Sequence, residues 1–267
     1  MARGPDKDTG MSLDVHLLFL FCVALATFAQ CLTGFAFGLI LIGLVAILQL
    51  IPLGEVAVVI SILTLGNALV TVAGPKPQLD RRILMPLLIS SLLGVCLGIW
   101  GLGALDGRQI AWLRLLLGGV ILVASLMLVV QSKPRERLSG APAFWVAGGL
   151  CGVLNGLFSS GGPPIVYHLY RQPLGYELIR NTLITVFACN AAMRLGLVAA
   201  QGELSLSTLW LSAEALPLVM LLSWLVRRYP PKLSLRTVRW LVFALLVLAG
   251  GSLIAEALPE LLALYRG

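Results

Sequence analysis

The segment 148–170, GGLCGVLNGLFSSGGPPIVYHLY, gathers residue types suited to holding an anion in an apolar setting. Gly148, Gly149, Gly152 and Gly156 recur at helical spacing and offer a smooth face for close helix packing. Ser159, Ser160, Gly161 and Gly162 then interrupt the helix, and Pro163 suits the first position of a new one. A half-helix that begins in this way presents its first backbone amides and the positive end of its dipole, the ingredients of an anion site. The plainer alternative is a kink in a packed helix. A matching break, Gly34-Phe35-Ala36-Phe37-Gly38, stands in the first half of the chain.

Polar residues inside apolar stretches are the next candidates. Asn67 and Asn190 occupy equivalent positions in the two halves, and each amide could donate to an anion's oxygens or serve as glue between helices. Thr33, Asn155, Ser159, Ser160, Thr182 and Thr185 are weaker donors of the same kind. Arg194 lies one helical turn beyond Asn190, where burial costs about 2.5–3.5 kcal/mol and calls for a partner or a cavity. It could draw an anion inward, reach toward the outer surface, or pair with Glu214 in the next block. Glu214 is the most interior-looking acid and the one candidate for proton coupling. Metal and cofactor chemistry find little support. The five cysteines lie in apolar blocks without CxxC spacing, and His16 and His168 are far apart. No GxSxG or HExxH pattern accompanies His168, so no enzyme is expected.

The elements that must position these residues are membrane helices. Of 267 residues 59% are hydrophobic and only 12% charged, and the apolar ones fall in about eight long blocks. Blocks such as 83–102, 110–130, 204–226 and 241–258 reach the roughly 20 residues needed to cross about 30 Å of hydrocarbon. They do not alternate as barrel strands would. The expected class is an all-α polytopic protein of a bacterial inner membrane, with no cleaved leader. Trp100, Trp112, Trp145, Trp210, Trp224, Tyr229 and Trp240 fall near block ends, where amphipathic rings prefer the interface.

Charge placement sets the expected topology. Lys76, Arg81 and Arg82 outweigh Asp80; Lys133, Arg135 and Arg137 outweigh Glu136; Arg227, Arg228, Lys232, Arg236 and Arg239 face no acid. The positive-inside rule puts all three loops in the cytoplasm, and no domain is present to turn them toward nucleic acid. Two spans separate the first pair of loops, but three apolar blocks (142–170, 178–200 and 205–226) separate the second pair. One block must therefore fail to cross, or cross twice. Block 142–170 carries Gly161-Gly162-Pro163-Pro164, and block 12–52 would run about 60 Å as one helix. Broken or re-entrant helices in these two blocks, the first and the fifth, give halves with odd numbers of spans and opposite orientation. The expected organisation is a first membrane repeat at 1–131, a cytoplasmic linker at 132–140 and a second repeat at 141–267, with both termini outside. Leu32-Thr33-Gly34-Phe35 matching Leu154-Asn155-Gly156-Leu157, and Leu65-Gly66-Asn67-Ala68 matching Ala188-Cys189-Asn190-Ala191, support the duplication.

The paired glycine-rich breaks, the second ending in Gly-Gly-Pro, resemble the TauE/SafE family of sulfite and organosulfonate exporters and 4-toluene sulfonate uptake permease-like proteins. The resemblance spans essentially the whole chain. Its most specific part is Asn155-Gly156-Leu157-Phe158-Ser159-Ser160-Gly161-Gly162-Pro163, followed by Arg180-Asn181-Thr182 and Asn190. Phe35 and Phe37 depart from the smaller residues usual in the first break and suggest aromatic walls. The resemblance implies a secondary transporter that moves sulfite, thiosulfate or a small organosulfonate, with export favoured. Thr33, Gly34, Asn67, Asn155, Ser159, Ser160, Gly161, Gly162, Asn190 and Arg194 would then touch substrate. Its partners are the small anion and the lipid bilayer, with a homodimer left open. A proton-coupled permease for another organic anion and a non-transporting assembly factor are the alternatives.

Overall fold

The computed structural model describes residues 13–33, 35–72, 78–103, 110–129, 135–229 and 235–266. Helices are the only regular elements among these residues. The 41-residue block 12–52 divides into α1 (Leu13–Thr33) and α2 (Phe37–Leu48), followed by α3 (Leu53–Val72), α4 (Arg81–Gly103) and α5 (Ile110–Val129). Block 142–170 divides likewise into α6 (Ala141–Phe158) and α7 (Gly162–Tyr170). Then come α8 (Tyr176–Ala200), α9 (Leu206–Arg228) and α10 (Leu235–Arg266). Both expected breaks are present. Seven of the described helices are long and apolar enough to cross a bilayer, so the chain is a multi-pass membrane protein. Residues 73–77, 130–134 and 230–234, within the three basic loops, lie outside the described residues, as do 1–12.

The two half-helices are short for a physical reason. With 12 and 9 residues, α2 and α7 are about 18 and 14 Å long, roughly half the hydrocarbon thickness. Gln49, in the left-handed region at φ 48°, closes α2, and Pro52 keeps the chain from resuming it at once. α2 is apolar on every side and buried along most of its length, as such a helix must be. It packs against α1, α3 and α10, and its residues form the centre of the larger core cluster. α7 belongs to the second cluster, with α4, α6 and α8.

Glycine lets the longer helices approach. α4 lies along α6 so closely that a Cβ on Gly94 would stand 2.5 Å from the Gly149 carbonyl oxygen. One on Gly156 would stand 2.5 Å from the carbonyl oxygen of Val95, and one on Gly152 would run into the Ser91 backbone. The expected small-residue face is thus real for Gly148, Gly152 and Gly156. Gly149 points into open space and is off that face. α5 and α10 touch through Gly118 and Gly250 in the same manner. The seven interface aromatics named above are all exposed near helix ends.

Candidate functional site

The α6–α7 break folds back on its own helix. Gly161 rests on Cys151, where any Cβ would collide with the Cys151 carbonyl. Cys151 stands ten residues, about 15 Å, from the first residue of α6, near half the hydrocarbon thickness. The turn therefore sits at mid-depth. Ser159 closes α6 in the left-handed region, φ 55°, with its amide donating to Asn155 O at 2.7 Å. That conformation is uncommon for a residue with a side chain. A 2.6 Å hydrogen bond between the hydroxyls of Ser159 and Ser61 on α3 holds it in place.

The first break meets the second. Phe35 covers Gly162, so that a Cβ there would be 3.2 Å from the phenyl ring. A Cβ on Gly38 would be 2.9 Å from Ser160 Oγ. Between them lies a small cavity of ≈ 30 Å³, room for about two waters. Its lining comes from three pairs of elements: Gln30 and Asn155 from α1 and α6, the two breaks with the starts of α2 and α7, and Thr64 with Phe187 and Ala191 from α3 and α8.

The donors at the two half-helix starts differ. The orphan amides of α7 would be those of residues 161–164, but Pro163 and Pro164 have no N–H. Gly161 and Gly162 remain, both lining the cavity. α2 starts without proline, so Ala36, Phe37, Gly38 and Leu39 keep their amides. The positive ends of both half-helices border the cavity, a field that favours an anion. The first amides that the sequence reading gave this half-helix thus come down to two of the four, because of the two prolines.

Several expected site residues are placed elsewhere. Asn190 is fully buried, but its Oδ1 accepts from Ser91 Oγ at 2.9 Å, and its Nδ2 donates to Cys151 Sγ at 3.8 Å. It locks α8 to α4 and α6 and does not line the cavity. Asn67, half-buried one turn beyond Thr64, does not line it either. Gly34 and the Thr33 side chain lie outside the described residues. Asn155, Ser159, Ser160, Gly161 and Gly162 do converge on the cavity.

Arg194 neither snorkels nor pairs with Glu214. It is 3% exposed, donates from Nε to Gly156 O at 3.3 Å, and leaves one terminal nitrogen without a partner. The arginine reaches the turn of α6 that carries Asn155, whose Oδ1 is also buried without a partner. A cation and an unfilled acceptor thus flank the cavity wall. Glu214 is not interior: its side chain is 40% exposed and sits 2.9 Å from His16 Nδ1 on α1. Sequence reading missed Gln30, Ser61, Thr64 and Phe187. The faint signal for two of them is that Thr64 and Phe187 stand in register with each other when Asn67 is matched to Asn190.

Comparison with known proteins agrees with this architecture. The family model described as "Sulfite exporter TauE/SafE" matches residues 19–253. The chain is 35% identical over 232 residues to a protein of Cupriavidus necator named "Probable sulfite/organosulfonate exporter TauE", covering 87% of this chain and 91% of that one. No solved structure matches it. The matched span contains both helix breaks and the cavity between them, and the chain belongs to the TauE/SafE family of membrane transporters.

Proposed function

We propose that the chain exports a small sulfur oxyanion, sulfite, thiosulfate or a short organosulfonate, across a bacterial inner membrane. The observation that carries the reading is the meeting of the two helix breaks at mid-depth, Gly38 against Ser160 and Phe35 over Gly162, around one polar cavity. The two half-helix starts, the Ser160 hydroxyl, Gln30 and Thr64 line the cavity and offer donors to an oxyanion, for which this two-water space must widen. The relative's name, a sulfite/organosulfonate exporter, fits that donor set.

The transport cycle rests on two repeats, residues 1–131 and 141–267, inserted with opposite orientation around the linker 132–140. Their packing supports this. α1 meets α2 and α9 as α6 meets α7 and α4; α2 meets α3 and α10 as α7 meets α8 and α5; α3 meets α9 as α8 meets α4. α3–α8 and α5–α10 are the contacts that such an exchange leaves in place. The cavity then lies between equivalent elements, where inverted-repeat transporters bind substrate.

Export follows from electrostatics. Moving one charge is worth about 2.3 kcal/mol per 100 mV, so a divalent anion is driven out of a negative cell by about 4.6 kcal/mol. No coupled ion is needed. Proteoliposomes of known orientation, tested with radiolabelled sulfite, thiosulfate and a two-carbon sulfonate, decide the matter. Exit from the cytoplasmic side should accelerate when the interior is made negative. Flux of none of the three anions would end the reading, and flux that ignores the potential but needs a proton gradient would favour the proton-coupled alternative.

A further inference from the structure

A second, larger cavity lies outside the transport site. An apolar groove of ≈ 840 Å³ runs between α5, α6 and α7, from Met127, Ala143 and Tyr167 at the linker end to Leu154 at depth. Residues 143 to 154 of α6 rise about 16 Å, the depth of one leaflet's hydrocarbon. The mouth is cationic. Arg171 donates from a terminal nitrogen to Tyr167 Oη at 2.9 Å, and its guanidinium stands 5.3 Å from the centre of that ring. Its Nε is buried with no partner. The Arg135 amide donates to Arg171 O at 2.8 Å, which brings the linker to the same corner. Across 135–171 three arginines, Arg135, Arg137 and Arg171, outnumber the single acid Glu136.

We infer that this groove holds an anionic phospholipid of the leaflet at the linker side, one acyl chain along α6 and the phosphate on Arg171 and Arg135. Length, apolar walls and the Arg171 guanidinium held on Tyr167 at the linker end each match one part of that molecule. The lipid would support the outer wall of α6 directly behind Asn155, since Leu154 lines the groove and Asn155 lines the transport cavity. The site is independent of which anion is transported.

Native mass spectrometry of the purified full chain tests it, with phosphatidylglycerol and phosphatidylcholine of identical acyl chains as probes. Wild type should retain phosphatidylglycerol preferentially, and Arg171→Gln should cut the preference about fivefold. Gly119→Phe fills the groove from a position where a Cβ meets nothing within 4 Å, and it should reduce retention of both lipids. Gly101→Phe, equally open but off the groove, should retain them as wild type does. Inorganic phosphate should not displace the lipid. Equal retention of the two lipids by wild type, or unchanged binding in both Arg171→Gln and Gly119→Phe, would overturn the site. So would a dimer that Gly119→Phe splits without loss of lipid, which would make the groove a face between two copies.

Discussion

Gly38→Ala asks whether the two breaks form one structure. The added methyl would stand 2.9 Å from Ser160 Oγ, 3.1 Å from Ser160 Cβ and 3.1 Å from Ser159 O. Ordinary contact begins at 3.4 Å, so the start of α2 and the second break must part by about 0.3–0.5 Å. Ser159 cannot yield easily, because the Ser61 hydroxyl and its own left-handed turn hold it. Overpacking of this kind costs about 1–3 kcal/mol. Expressed at the site, that is a loss of anion affinity of about 5- to 150-fold. Binding of radiolabelled sulfite by purified protein measures it, with thermal stability followed in parallel. Ser160→Gly removes both Ser160 contacts and leaves only the 3.1 Å approach to Ser159 O. The double variant should therefore recover most of the loss, with a coupling of about 1–2 kcal/mol. If the two effects add within about 0.3–0.5 kcal/mol, the breaks do not touch and the shared site is refuted.

Three further outcomes follow from the packing. Gly152→Val should cost about 3 kcal/mol or more, because the new side chain meets the Ser91 backbone, while Gly149→Val on the open face should fold normally; yield and thermal midpoint compare them. Asn190→Leu should destabilise the fold by about 1–3 kcal/mol through the broken bond with Ser91 yet change sulfite affinity less than about twofold, as calorimetry on purified protein would reveal. Glu214→Gln and His16→Gln should both keep much of the wild-type flux. Flux of radiolabelled sulfite in proteoliposomes checks both, since the pair stands outside the cavity lining.

What could be read from the sequence was set by backbone chemistry and by length. A 41-residue apolar block is too long for one span, and Gly-Gly-Pro-Pro must at least kink a helix, so both interruptions were visible before any coordinates. The small-residue face of α6 was visible for the same reason, although only its packing against α4 separates Gly149 from Gly152. Single polar residues behaved differently. Asn67 and Asn190 look alike in sequence, but whether an amide serves a ligand or a neighbouring helix depends on Ser91, 99 positions away. Ser61, Thr64 and Gln30 look like ordinary packing residues until the breaks are brought to them. Arg194 and Glu214 each had a plausible partner in the other; the partners found, Gly156 and His16, come from helices that only the tertiary fold places beside them.

The central claim is that an oxyanion sits between the two breaks, and a heavier isostere can report its place directly. Selenite has the charge and shape of sulfite, and its selenium scatters anomalously. Diffraction from crystals grown with selenite should give an anomalous peak in the cavity lined by Gly38, Ser160, Gly161 and Gly162. At the same selenite concentration the peak should weaken in Gly38→Ala crystals. A peak outside that cavity, or none there in protein that transports selenite, would contradict the account.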